Sequence, residues 1–128
     1  MKRPANPQLS PIGEEVLTQY EQILRNREDL TPISIRNYLS DLRHFLAWYE
    51  TRLAAGGDEA PSRPEFDLQA ITTPALTRYR AYLQKDQRQK PASVNRALIS
   101  LKRYFGWAMQ NHCITYDPSA TVKLVGQE

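Results

Sequence analysis

Apolar residues recur at steps of three and four in four stretches of the chain. Val16, Leu17, Tyr20, Ile23 and Leu24 form the first set. Ile35, Tyr38, Leu39, Leu42, Phe45, Leu46 and Tyr49 form the second, and Leu76, Tyr79 and Leu83 the third. Val94, Ala97, Leu98, Leu101, Tyr104, Phe105 and Ala108 form the fourth. This spacing lays each set along one face of an α-helix. No stretch alternates apolar and polar residues for long enough to predict a strand. Three of the helices carry the same start signal, a hydroxyl residue followed by proline: Ser10-Pro11, Thr31-Pro32 and Thr73-Pro74. The hydroxyl accepts from an unpaired first-turn amide, and proline in the first turn loses no helical hydrogen bond. The fourth helix begins near Pro91 and should end by about His112, because Pro118 disfavours helix in the residue before it and Ile114 to Asp117 leave the helical pattern.

Four amphipathic helices must bury their stripes against one another, so the predicted fold is all-α, a compact bundle of four main helices. Residues 1–10 read as a flexible lead, 11–120 as the helical domain, and 121–128 as the start of an outgoing linker. Ala54-Ala55-Gly56-Gly57-Asp58 should close the second helix, with glycine free to take the left-handed cap conformation. Glu59 to Ile71 reads as a loop. No internal repeat and no low-complexity tract is present. At 128 residues the chain fits one domain and is long enough to build a core without staples.

Charge changes the picture more by its distribution than by its total. The net charge is only +3. Between Arg78 and Arg103, however, eight basic residues face one acid, Asp86. Between Glu50 and Asp67 five acids face two arginines. A chain polarised in this way can present a positive face although it is nearly neutral overall. The single cysteine, Cys113, permits no internal disulfide and fits a reducing compartment. No secretory leader and no membrane-spanning run is read, so the expected location is the cytoplasm, with no membrane partner.

Catalytic and metal-binding chemistry finds no support in the motifs. His112 and Cys113 are adjacent, a spacing that does not converge on one ion without further ligands. His44 falls on the polar side of the second helix and reads as a solvated histidine. Gly56-Gly57 lacks the Lys-Ser/Thr of a phosphate loop. The seven tyrosines fall mostly on apolar helix faces, where packing accounts for them. No catalytic residue, metal, cofactor or small-molecule ligand is therefore assigned.

The polar faces are more informative. On the fourth helix Ser93, Arg96, Ser100 and Arg103 recur at helical steps, flanked by Asn95 and Lys102, with Lys90 just before the helix. On the second helix Ser34, Arg36, Asn37 and Arg43 form a smaller set. Arginine and lysine suit phosphates, and Ser, Asn and Arg can reach base edges. A helix start adds free amides and the positive end of the dipole. The same residues are also compatible with ordinary solvated helix faces.

Several runs resemble the core-binding domain of the tyrosine recombinases (the phage-integrase family). Thr31-Pro32-Ile33-Ser34 through Tyr38, followed by Asp41-Leu42-Arg43-His44-Phe45-Leu46, resembles that domain's second helix. Ile71-Thr72 resembles the start of its third. Ser93-Val94-Asn95-Arg96-Ala97-Leu98-Ile99-Ser100-Leu101-Lys102-Arg103-Tyr104-Phe105 resembles its fourth. Ile114 to Pro118 and Ser119 to Lys123 resemble the exit toward the catalytic domain, with Asp117 where asparagine is usual. The likeness spans about Gly13 to Leu124. It implies a SAM-like helical domain that forms half of a clamp around duplex DNA, with its second and fourth helices facing the DNA. Carried across by position, it implies DNA contacts from Ser34, Arg36, Asn37, Lys90, Ser93, Asn95, Arg96, Ser100 and Arg103. It further implies other recombinase protomers as partners, four on paired sites. The family's catalytic arginines, lysine, histidines and nucleophilic tyrosine find no match here. The expectation is thus a DNA-holding part of a recombinase, or a natural short relative, without strand-cleaving activity of its own. The competing reading is a helical interaction module whose basic face meets an acidic protein.

Overall fold

Ser10 begins the first helix as its sequence signal predicts. In the computed structural model, which describes residues 6–27, 29–54 and 67–126, α1 runs Pro11–Arg25. The Ser10 hydroxyl accepts from the Gly13 amide at 3.1 Å. The second helix, α2, runs Pro32–Ala54, and Thr31 Oγ1 accepts from the Ser34 amide at 3.1 Å. After a single 3-10 turn at Leu68–Ala70, α3 spans Thr73–Lys85 and α4 spans Pro91–Gln110. The described residues contain no strand, so the all-α expectation holds.

One start signal is displaced by a residue. Thr72, not Thr73, caps α3, accepting from Ala75 N at 3.3 Å. Thr73 lies inside the first turn, and its hydroxyl donates to the Pro118 carbonyl at 2.9 Å. The predicted glycine cap of α2 and most of the loop from Glu59 fall outside the described residues.

The chain divides into two compact units, one containing α1 and α2, the other containing α3, α4 and the segment after α4. In the first, Leu17, Tyr20 and Leu24 of α1 and Ile35, Leu42, Phe45 and Leu46 of α2 are buried. Val16 is only half-buried and Ile23 is exposed, so the α1 stripe is narrower than its periodicity suggested. The start of α1 is fastened to α2 by polar contacts. Glu50 accepts from the Ser10 amide at 3.0 Å and from the Ser10 hydroxyl. Arg43 donates to the Pro7 carbonyl at 3.0 Å and pairs with Glu14 through both terminal nitrogens. The stretch expected to be a flexible lead is thus tied down from Pro7 onward. Gly13 makes room for this junction. A β-carbon there would lie 3.1 Å from both Glu50 Oε2 and Leu9 Cβ, tighter than ordinary packing. His44, expected in solvent, is half-buried and donates from Nδ1 to the Ser40 carbonyl at 2.8 Å.

In the second unit Ala75, Leu76, Tyr79 and Leu83 of α3 are buried, as are Val94, Ala97, Leu98, Leu101, Tyr104, Phe105 and Ala108 of α4. The end of α4 is a Schellman turn: Cys113 N donates to Ala108 O at 2.8 Å and His112 N to Met109 O at 3.2 Å. His112 takes the left-handed conformation, φ 60°, that such a turn requires and that glycine adopts most cheaply. The chain then folds back. Ile114 and Val122 are buried, and Tyr116 donates to the Ile71 carbonyl at 3.3 Å. Asp117 accepts from Ser119 N at 2.8 Å and from the Ser119 hydroxyl at 2.6 Å. This position needs a short side-chain acceptor, which Asp and Asn both supply, so the departure from asparagine keeps the turn. Residues 121–125, expected to begin a linker, return to α4, where Val125 meets Asn95.

Candidate nucleic-acid interface

The fourth helix owes its charge to a long gap between acids. From Gln87 to Tyr116 no Asp or Glu occurs, while Arg88, Lys90, Arg96, Lys102 and Arg103 do. The buried stripe of α4 commits Val94, Ala97, Leu98, Leu101, Tyr104 and Phe105 to the core, which turns Arg96 and Ile99 outward. Lys90, Ser93 and Arg96 are exposed and Arg103 is half-buried. Lys90 occupies the cap position without a side-chain hydrogen bond to the first turn. The amides of Ala92 and Ser93 therefore receive no capping oxygen from Lys90, and they lie beside a lysine and a serine hydroxyl. Unpaired amides, the helix dipole and an ammonium group together favour a phosphate oxygen.

Two expected contacts of α4, and the flanking Lys102, look different in the structure. Ser100 is buried, with 3% of its surface exposed. It does not belong to the outward polar face, and its place in the DNA-binding set is corrected. The reason is geometric: it lies three residues after Ala97 and four before Tyr104, both buried, so helical spacing turns it inward. Asn95 is half-buried, and its amide is occupied on both sides by the Val125 backbone. Lys102 donates to the Ser119 carbonyl at 2.6 Å.

On α2, Arg36 is exposed, while Ser34 and Asn37 are half-buried. Ser34 accepts from the Thr31 hydroxyl at 3.0 Å, so part of its capacity is spent at the helix start. Arg43 belongs to the Glu14 and Pro7 junction rather than to a free polar face. A cleft of about 520 Å³ opens within this unit, lined by Leu17, Glu21, Arg25, Ile35, Arg36 and Arg43 among others. Glu21 neutralises Arg25 at 2.7 Å and Glu14 neutralises Arg43. Arg36 also lines this cleft, and no ion pair joins it to another described residue.

The chain matches the family described as phage integrase, N-terminal SAM-like domain, over residues 17–112. The match takes in three-quarters of the sequence, from within α1 to the turn that closes α4.

The chain belongs to the phage integrase N-terminal SAM-like domain family.

Neither the curated proteins nor the solved structures compared with the chain match it. In the integrase family the SAM-like domain is non-catalytic. Among the described residues no three His, Cys, Asp or Glu side chains gather as a metal site. Cys113 is a free, exposed thiol. No helix among the described residues is long and apolar enough to cross a membrane. A role within a tyrosine recombinase or integrase follows from the family.

Two contacts at this surface escaped the sequence reading, Asn95 with Val125 and Lys102 with Ser119. Both join residues far apart in sequence, and helical periodicity carries no signal for them. The burial of Ser100 could have been read from its spacing to Ala97 and Tyr104.

Proposed function

We propose that this domain binds duplex DNA as the N-terminal clamp domain of a site-specific tyrosine recombinase, holding the DNA while a catalytic domain of the same recombinase cuts and rejoins strands. The observation that carries the reading is the outward face of α4, basic and free of acids across the whole stretch from Gln87 to Tyr116. Lys90, Ser93 and the first-turn amides of α4 suit one phosphate, and Arg96 and Arg103 reach along the groove or its edge. Arg36, with Ser34 and Asn37, supplies a second contact region on α2. Asn95 reads a base once its side-chain amide is released by Val125. The partners are double-stranded DNA and further recombinase protomers, four on paired sites, and the location is the cytoplasm.

Replacing Arg96 or Arg103 by Ala tests the map. Each variant should bind duplex DNA several-fold more weakly, with a melting temperature close to that of the parent chain. Unchanged binding in both would overturn the assignment of this face.

A second reading, an acidic protein partner, draws on Ile99. It is 50% exposed in the middle of the basic face, and an apolar centre with a charged rim is also the anatomy of a protein interface. Binding to an acidic protein, without measurable duplex binding at low salt, would favour it.

A further inference from the structure

The segment after α4 lies on the edge of α4 that would read DNA. Two side chains hold it there, seven residues apart on that helix. Asn95 Oδ1 accepts from the Val125 amide at 2.7 Å, and Asn95 Nδ2 donates to the Val125 carbonyl at 3.2 Å. Lys102 Nζ donates to the Ser119 carbonyl at 2.6 Å. Between these fastenings Val122 is buried and Thr121 and Lys123 are exposed.

The chemistry of the Asn95 contact is specific. A backbone N–H beside a backbone C=O presents one donor and one acceptor to a planar side-chain amide. The major-groove edge of adenine presents the same pair, N6–H and N7, and asparagine reads it with the same two atoms. An amide engaged by Val125 keeps one N–H and one oxygen lone pair, but these point away from each other and leave no side-by-side donor and acceptor for a base edge. The two occupants therefore exclude each other.

We propose that the end of this segment, residues 123–125, is a strap that competes with DNA: docked, its Val125 peptide takes the place of an adenine edge on Asn95, and only its release lets this domain read adenine there. The inference rests on the DNA-binding reading above. With the strap docked, Lys90, Ser93 and Arg96 stay exposed and bind phosphates without regard to sequence. With the strap released, Asn95 adds adenine recognition. Apparent affinity is reduced by the fraction of molecules in the docked state, so loosening the strap strengthens binding.

The strap's hold is light enough to open locally. Lys123 is exposed, Leu124 and Val125 are only half-buried, and Val125 is fixed by two hydrogen bonds to one side chain. Such a segment opens far more often than the core of α4.

The test is Val125→Pro, which removes the N–H that Asn95 accepts while leaving Asn95 and Lys102 in place. Val125→Ala keeps the N–H and serves as the control. Each protein is mixed with a pool of short duplexes with randomised centres, and bound sequences are counted. Val125→Pro should bind the pool several-fold more tightly than the parent chain. It should also enrich adenine at one position, where a single bidentate contact discriminates by about 5- to 150-fold. Adding Asn95→Ala to Val125→Pro should abolish that enrichment. Val125→Ala should match the parent. If Val125→Pro binds with parental affinity and no adenine preference, the strap does not compete and the proposal falls, with the DNA-binding reading intact. If no variant binds any duplex at low salt, the DNA-binding reading itself falls and takes the competition with it. Amide exchange without DNA gives a second, folding-independent measurement on the unmodified chain. The Val125 amide should exchange much faster than that of Leu101. Exchange at the same slow rate would mean that the strap opens only by global unfolding, and would overturn the proposal.

Discussion

Glu14, in the first turn of α1, is joined to Arg43, at mid-length in α2, through both terminal guanidinium nitrogens. The hydrogen bond from Arg43 holds the Glu14 carboxyl below its ordinary range. The positive charge of Arg43 and the hydrogen bond to the Leu9 backbone act in the same direction, and burial opposes them. A carboxyl whose folded pKa is depressed adds stability above its unfolded pKa, and loses it as pH falls through the folded value. Glu14→Gln should therefore be less stable than the parent at neutral pH. The difference should close below the carboxylate range, where Glu14 is itself protonated. Glu14 is 44% exposed, so solvent screening limits the loss to about 1 kcal/mol or less. Denaturant melts of both proteins across pH 3 to 7 (about the carboxylate range) check it; a gap that stays constant with pH would contradict the assignment.

His112 closes α4 with a left-handed backbone, φ 60°. It is exposed and sits at the position of the Schellman turn that glycine favours. His112→Gly should relieve the side-chain strain at some entropic cost in the unfolded state. The net gain should be roughly 0.5–1 kcal/mol. A calorimetric melt should move upward by a few degrees, and DNA binding should not change.

Phe105 is fully buried, at 0% exposure, and stacks edge-on against Tyr104 with ring centres 5.3 Å apart. Phe105→Ala should cost about 3–5 kcal/mol, a large part of the stability of a domain this size. Chemical denaturation provides the measurement, and a loss below about 1 kcal/mol would mean that Phe105 is not part of a close-packed core.

Ser100 and Arg96 separate the buried from the exposed side of one helix. Ser100→Ala should leave duplex binding unchanged, since the side chain is buried. Ser100→Arg should destabilise the fold by several kcal/mol, on the order of the cost of burying an uncompensated charge. Arg96→Ala should do the opposite, weakening DNA binding while leaving the melting temperature nearly unmoved. Stability and fluorescence-anisotropy titrations on the three variants distinguish these outcomes.

The helices were legible because their determinants are local. Ser10 and Pro11 announce α1, and the Val94 to Ala108 spacing announces α4, through interactions within one or two turns. Thr72 replaced Thr73 as a cap because two adjacent hydroxyl residues offer the same signal, and proline is tolerated one residue further in. The outward face of α4 was legible only as charge. Ser100 was misread because a hydroxyl was counted as polar surface, although its spacing placed it beside Ala97 and Tyr104. The pairing of Asn95 with Val125 spans 30 residues, and Arg43 reaches Glu14 across 29. Such contacts depend on how the chain returns on itself, which the period of an isolated helix does not encode.

The affinity of the unmodified chain for duplex DNA as a function of salt tests the central claim most directly. Lys90, Arg96, Arg103 and Arg36 acting on phosphates should release counterions, giving a straight plot of log affinity against log salt. Its slope should be about −0.9 for each phosphate contacted, or roughly −3 to −4 for these four. A slope near zero, or no binding at low salt, would contradict a DNA-holding role for this domain.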